Sequence, residues 1–244
     1  MIRKLLAALL LLPALAWAAT AKAPLDRAPI NPYDRASLQR GAQIFVNHCL
    51  NCHAAAAMRY GRLADLGLTE QQIRENLLFT ADKVGESMTT ALDPKIAKAA
   101  FGIVPPDLSL IARSRNADWL YTYMRSFYRD PQSKTGWNNT VFPNVAMPHV
   151  LWEYQGPQAL QVTERMDQNT GDVKRSEKLV MERPGTMTAL EYDRYVADLV
   201  NYLAFMAEPS QNQRKQWGIL VLFFLAIFVV LSLLLKKEYW KDVR

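Results

Sequence analysis

A chain of 244 residues holds just two cysteines, and both fall in one five-residue segment, Cys49-Leu50-Asn51-Cys52-His53. Few features restrict a fold as much, because two thiols and an imidazole must serve a common purpose at one place. A disulfide across two intervening residues closes a tiny loop and stabilises little. A thioredoxin-like redox pair belongs after a buried strand in a βαβ unit, whereas the residues before Cys49 have helical periodicity. A structural zinc site needs four ligands, and outside this cluster only His48 and His149 offer ring nitrogens. The C-x-x-C-H spacing does suit covalent attachment of a haem: the thiols add to vinyl groups on one porphyrin edge and the adjoining histidine stands under the iron. Cys49 and Cys52 are therefore the expected tethers of one haem c, and His53 its proximal ligand. His48, fixed beside a tethered thiol, reads as an incidental neighbour.

The ends of the chain place this motif relative to a membrane. Arg3 and Lys4, an apolar run from Leu5 to Leu15 and the small residues around Ala16-Trp17-Ala18-Ala19 have the form of a cleaved export signal covering residues 1–19. Near the other end, Trp217 to Leu235 carries no charge and reaches ~28 Å as a helix, enough to cross a bilayer's hydrocarbon core. Trp217, Tyr239 and Trp240 flank it, and Lys236, Lys237, Lys241 and Arg244 follow, as expected of a cytoplasmic end. The sequence thus divides into a signal (1–19), a periplasmic haem domain (20–213), a single-pass anchor (214–235) and a short tail (236–244) in a bacterial inner membrane. The formal charge of +6 follows the same division. Removing the eight basic residues outside 20–213 from the total of 29, and two acids from 23, leaves 21 of each sign. A neutral domain lacks the basic surface that phosphate backbones require, so nucleic acid is excluded as a partner.

An electron carrier keeps a second axial ligand on its iron, and a thioether is a frequent choice because it raises the potential. Of nine methionines, Met147 is the best placed, in the strap Phe142-Pro143-Asn144-Val145-Ala146-Met147-Pro148, where two prolines hold an extended segment and remove backbone donors. Met88, Met58 and His149 remain rivals, while Met124 and Met206 lie on apolar helical faces and read as core. Helices are predicted over about 36–48, 71–78, 94–100 and 117–128. A longer one begins at the capping box Thr188-Ala-Leu-Glu191, with an apolar stripe of Leu190, Tyr195, Leu199, Tyr202, Leu203 and Met206. Leu38, Ala42, Phe45 and Val46 form the stripe of the first helix, and Gly41 beside it lets another helix cross closely. Alternation over 159–182 around Asn169-Thr170-Gly171-Asp172 predicts a β-hairpin.

In their order along the chain, Gln39-Arg40-Gly41-Ala42-Gln43-Ile44-Phe45 before the haem motif, Pro105-Pro106-Asp107-Leu108-Ser109 continuing through Ile111-Ala112-Arg113-Ser114-Arg115, the Met147 strap and Ala207-Glu208-Pro209 before the anchor resemble cytochrome c1, the haem subunit of the cytochrome bc1 complex. The resemblance spans nearly the whole mature chain. It implies a mainly α, class I cytochrome c-like domain with a small β excursion, plus one C-terminal transmembrane helix. It also implies axial coordination by His53 and Met147, a propionate contact from Arg115, and a pocket lined in part by Pro106 and Tyr60. The implied function is a relay, not catalysis by this chain alone: one electron from the Rieske iron-sulfur protein, passed to a cytochrome c, in a dimeric complex with cytochrome b and membrane lipid. Two departures from eukaryotic relatives stand out: no strongly acidic run to steer a basic acceptor, and no cysteines for an extra disulfide. Alternative readings are a membrane-anchored monohaem subunit of a terminal oxidase or periplasmic dehydrogenase, and a ligand-binding haem protein with an open sixth position.

Overall fold

The computed structural model describes residues 24–166 and 173–242. The expected signal, 1–19, and the turn at 169–172 lie outside the described residues.

The first helix, α1 (Arg35–Ile44), starts where the Asp34 carboxylate accepts from the Ser37 amide at 3.0 Å. It continues as a π-helical turn, Phe45–Cys49, closed by the Leu50 amide on the Phe45 carbonyl at 3.0 Å. Single π turns of this kind recur at functional sites. Next come strand β1 (Ala55–Arg59), a 3-10 segment (Tyr60–Leu66) and α2 (Glu70–Asn76), the latter opened by a Thr69/Gln72 capping box. Strand β2 (Ser87–Met88), α3 (Pro94–Phe101), α4 (Ile111–Ser114) and α5 (Ala117–Arg125) follow. Strands β3 (Phe127–Arg129) and β4 (Trp137–Asn139), the short α6 (Trp152–Gln155), the hairpin β5 (Gln158–Met166) and β6 (Val173–Met181), then α7 (Ala189–Ala207) and α8 (Gln211–Tyr239) complete the order.

The core is organised by the crossing of α1 and α7. Leu38, Ala42, Phe45 and Val46 are buried, as the stripe requires, and the Phe45 and Tyr202 rings meet at 5.6 Å. Gly41 is the contact point: a Cβ there would lie 2.0 Å from the Asp198 carbonyl oxygen. The Arg40 guanidinium clasps the Asp198 carboxylate at 2.6 and 3.1 Å beside the crossing. Helix α5 packs on α7 as well, with the Tyr192 hydroxyl donating to the Met124 carbonyl at 2.8 Å. Arg125 ties α5 to Asp193 at 2.6 Å and to Asp26 of the N-terminal segment at 2.7 Å.

Three expectations change in detail. The helix expected over 117–128 stops at Arg125 because Phe127 leaves to pair with Asn139 in β3–β4. Leu190, counted in the α7 stripe, is exposed in the first turn of that helix, beside the capping box. The β content is also wider than one hairpin: antiparallel pairs β1–β2 and β3–β4 accompany β5–β6, whose register begins at Gln158 opposite Met181. Strands β2, β3 and β4, of two or three residues, have no periodicity to read. The apolar flank of α8 is uncovered along its length, and it is the candidate membrane span among the described residues.

Candidate haem-binding site

The π turn delivers Cys49 at the end of α1, and the next four residues wind round its carbonyl. The Cys52 amide donates to the Cys49 oxygen at 3.1 Å and the His53 amide does so at 2.8 Å. The two sulfurs and the imidazole thus arise from one compact turn on a rigid helix. Cys49 is buried and Cys52 half-buried, and both are free. Burial pushes the Cys49 thiol up to about 12, the opposite of the lowered value that a disulfide-exchange nucleophile needs.

His53 is held by a separate segment. Its Nδ1 lies 2.8 Å from the Pro106 carbonyl oxygen. A carbonyl only accepts, so Nδ1 carries the proton and Nε2 keeps its lone pair, the arrangement in which a histidine ligates a metal through the far nitrogen. Burial lowers the pKa of the ring, which favours this neutral form. The Pro106 loop is itself stitched to the chain following the motif. The Leu108 amide donates to the Ala54 carbonyl at 2.8 Å, the Ala56 amide to the Asp107 carboxylate at 2.8 Å, and the Ala57 amide to the Ser109 hydroxyl at 3.0 Å. Asp107 also accepts from the Ser109 amide at 2.8 Å. Burial alone would raise the pKa of Asp107, but these hydrogen bonds outweigh it and hold the carboxyl below its ordinary range.

Met147 sits half-buried in its strap, and its sulfur accepts from the Tyr123 hydroxyl at 3.3 Å. Burial pushes the phenol of Tyr123 far up, so it stays a donor. The strap is not extended throughout, as two prolines suggested. It turns at Pro143-Asn144, with Asn144 at φ 61, and is organised by two buried amides. The Asn139 side-chain oxygen accepts from the Val141 and Phe142 amides at 2.9 and 3.1 Å, and that of Asn138 from the Asn144 amide at 2.8 Å. The other methionines differ. Met58 and Met88 are buried in and beside the β1–β2 pair, where Met88 receives the Tyr202 hydroxyl at 3.6 Å. His149 lies flat on Phe127 with ring centres 4.8 Å apart. Its Nε2 faces Gln155 Oε1 at 2.7 Å, while its buried Nδ1 has no partner.

Among the remaining expected residues, Arg115 is exposed, its guanidinium 5.1 Å from the Trp119 ring centre and 5.7 Å from that of Phe142 at the head of the strap. Tyr60 is fully buried and its hydroxyl meets Thr80 at 2.9 Å. His48 bonds through Nε2 to the Tyr195 hydroxyl at 3.0 Å, so it is engaged within the protein fabric. Sequence reasoning did not find Asp107, Ser109, Asn138, Asn139 or Tyr123. Short polar residues flanking a proline segment were the available signal for the first four; Tyr123 gave none, because its partner lies 24 positions away.

The donor set fits haem c: two free thiols in one turn, an imidazole with one nitrogen anchored and the other available, and a thioether on a different segment. With the uncovered apolar helix α8, these features define a membrane-anchored c-type cytochrome carrying one covalently bound haem. A family model described as Cytochrome C1 family matches residues 26–243. The chain is 50% identical over 243 residues to the "Ammonia monooxygenase gamma subunit" of Nitrosomonas europaea, covering 100% of this chain and 99% of that one. It is 45% identical over 244 residues to "Cytochrome c1" of Allochromatium vinosum, covering 99% of each, and 29% identical to "Cytochrome c1" of Rhodospirillum rubrum, covering 87% of this chain and 84% of that one. The chain belongs to the cytochrome c1 family, the electron-transfer subunits that work with cytochrome b and a Rieske protein in cytochrome bc1 complexes.

Proposed function

We propose that this chain takes one electron at a time from the Rieske protein and delivers it to a cytochrome c, with His53 and Met147 as the two residues that would hold the haem iron. Haem c, when bound, supplies the one-electron iron couple. The chain's own residues fix where that couple sits and how it is tuned. Cys49 and Cys52 would tether the haem, and the Pro106 carbonyl locks the tautomer and plane of His53. The Asp107 and Ser109 stitching keeps Pro106 in place. The Tyr123 hydroxyl steadies the Met147 sulfur. Arg115, beside the strap, is the partner for a propionate, since a guanidinium binds carboxylates in two-pronged fashion. Pro106 and Tyr60 line the pocket.

The observation that carries this reading is the anchored His53 ring, with Nδ1 occupied by Pro106 and Nε2 left for the iron. Met147 is favoured over its rivals because Met58 and Met88 are enclosed in the β1–β2 region and His149 is clamped by Phe127 and Gln155. The haem domain, taken as residues 20–213, faces the periplasm of a bacterial inner membrane, the anchor spans it once, and the complex is a dimer that binds membrane lipid. Lys236, Lys237 and Lys241 at the far end of α8 support this orientation. The residue 1–19 signal is removed on export.

Replacing Met147 by Leu and recording the optical spectrum and carbon monoxide binding tests the ligand assignment. Loss of the low-spin spectrum with new binding of carbon monoxide is expected. An unchanged spectrum and potential would exclude Met147, and native binding of carbon monoxide by the unaltered protein would favour a ligand-binding haem protein. The Nitrosomonas relative's name favours a second reading, a haem subunit serving a monooxygenase. Gentle detergent purification separates the two: copurification with cytochrome b and a Rieske protein supports the relay, and copurification with a monooxygenase alone overturns it.

A further inference from the structure

Between the end of α7 and the start of α8 lies a cavity of about 360 Å³, lined among others by Arg113, Asn201, Phe205, Glu208, Asn212 and Lys215. No part of the haem site uses it. Two of its lining residues have buried side-chain oxygens without a partner, Asn201 Oδ1 and Asn212 Oδ1. Neither amide can be turned to relieve this. Asn201 Nδ2 donates to the Asn31 carbonyl at 2.8 Å and Asn212 Nδ2 to the Pro32 carbonyl at 3.3 Å, and carbonyls accept only. Asn201 is almost completely buried, and both residues line the cavity. Buried acceptors left in this state call for a donor-bearing occupant.

The charges around the cavity call for an anion. Arg113, Lys215 and one carboxylate, that of Glu208, line the cavity, and Arg214 lies next to it on α8. Arg214 pairs with Glu208 directly, and Arg113 approaches it at 3.9 Å. Lys215 has no ion-pair partner among the described residues, so positive charge is in excess. The position selects the kind of anion. Lys215 stands two residues before Trp217, where the uncovered apolar stretch of α8 begins, which is headgroup level for a membrane-spanning helix. Acyl chains can lie along Ile219, Leu222 and Phe223 while the headgroup enters the cavity.

We propose that this cavity binds the headgroup of an anionic, hydroxyl-bearing glycerophospholipid, of which phosphatidylglycerol is the test case. The phosphate meets Arg113 and Lys215, and the two headgroup hydroxyls donate to the orphan oxygens of Asn201 and Asn212. A zwitterionic lipid leaves the excess positive charge uncompensated, and an anionic lipid without hydroxyls leaves the amide oxygens unpaired. The proposal rests on the membrane anchoring of α8 and not on the identity of the electron-transfer partners.

The test uses the full-length haem-loaded chain in mild detergent, stripped of lipid and titrated with phosphatidylglycerol, phosphatidic acid, phosphatidylethanolamine or phosphatidylcholine, with bound lipid counted by native mass spectrometry. Counting only molecules that retain the covalent haem mass keeps the result independent of whether the relay reading holds. One tightly held phosphatidylglycerol is expected, weakened about fivefold or more by Lys215→Glu and retained by Lys215→Arg. Asn212→Leu is expected to abolish the preference over phosphatidic acid. Equal retention of phosphatidylglycerol and phosphatidylcholine overturns the proposal, as does indifference to both Lys215→Glu and Asn212→Leu. Displacement by millimolar inorganic phosphate as readily as by lipid identifies a free-anion site instead. A crosslink in the intact complex from a photoreactive group at position 212 to a protein neighbour, with none to lipid, assigns the cavity to another subunit and also overturns it.

Discussion

Replacing Gly41 with alanine gives the sharpest test of how the fold holds the haem motif, because two physical effects predict opposite signs. In an isolated helix the exchange is favourable by about 1 kcal/mol, since alanine loses less backbone freedom. Here the new Cβ would lie 2.0 Å from the Asp198 carbonyl oxygen and 2.7 Å from the Tyr202 Cβ. The nearest atom belongs to the backbone of α7, so no rotamer change relieves the clash. Bringing 2.0 Å to an ordinary 3.4 Å contact requires α1 and α7 to part by about 1.4 Å at the crossing. Overpacking of this kind costs about 3 kcal/mol at the upper end of its usual range. Net of the propensity gain, Gly41→Ala destabilises by about 2 kcal/mol and lowers the apparent melting midpoint by roughly 4–8 °C for a domain of this size. Thermal unfolding of the solubilised holoprotein, followed by far-ultraviolet circular dichroism and by Soret absorbance, measures it. The displaced α1 leads directly into the π turn carrying Cys49, so both signals shift together. A midpoint raised by 2–4 °C, the bare propensity effect, would falsify the close crossing.

Tyr123→Phe removes the hydroxyl from the Met147 sulfur without changing packing; if Met147 holds the iron as proposed, a sulfur freed of that donor would favour the ferric state, and redox titration is expected to show a potential lower by roughly 20–40 mV. Asp107→Asn weakens the stitching of the Pro106 loop by about 1–2 kcal/mol at neutral pH. Because the folded carboxyl titrates below its unfolded value of about 3.9, its stabilisation is fully present above that pH and disappears as pH falls through the lower folded value. Denaturant unfolding of variant and parent should therefore differ at pH 7 and converge in strong acid; a gap independent of pH contradicts the assignment. Arg125→Ala releases both Asp193 and Asp26, and a loss of about 2 kcal/mol with earlier proteolysis of the segment before Asn31 is expected from unfolding and limited digestion.

What the sequence determined by itself was whatever is encoded locally. The haem motif is legible because both thiols and the imidazole must come from one turn, and the anchor because a bilayer demands about twenty apolar residues in succession. Gly41 and the stripe of Leu38, Ala42, Phe45 and Val46 foretold a close helix crossing, and Thr188 with Glu191 marked where α7 starts. Tertiary structure alone decided the contacts between segments remote in sequence. The Pro106 carbonyl reaches His53 across 53 positions and the Tyr123 hydroxyl reaches Met147 across 24. Helix α5 yields early to β3 because Phe127 finds Asn139, and Asn138 and Asn139 shape the strap through side-chain amides that compete with regular backbone pairing. A ligand's residue type and spacing follow from the chemistry of its metal and can be read along the chain; the groups that orient it need only be near in space, and proximity in space leaves no periodic trace in sequence.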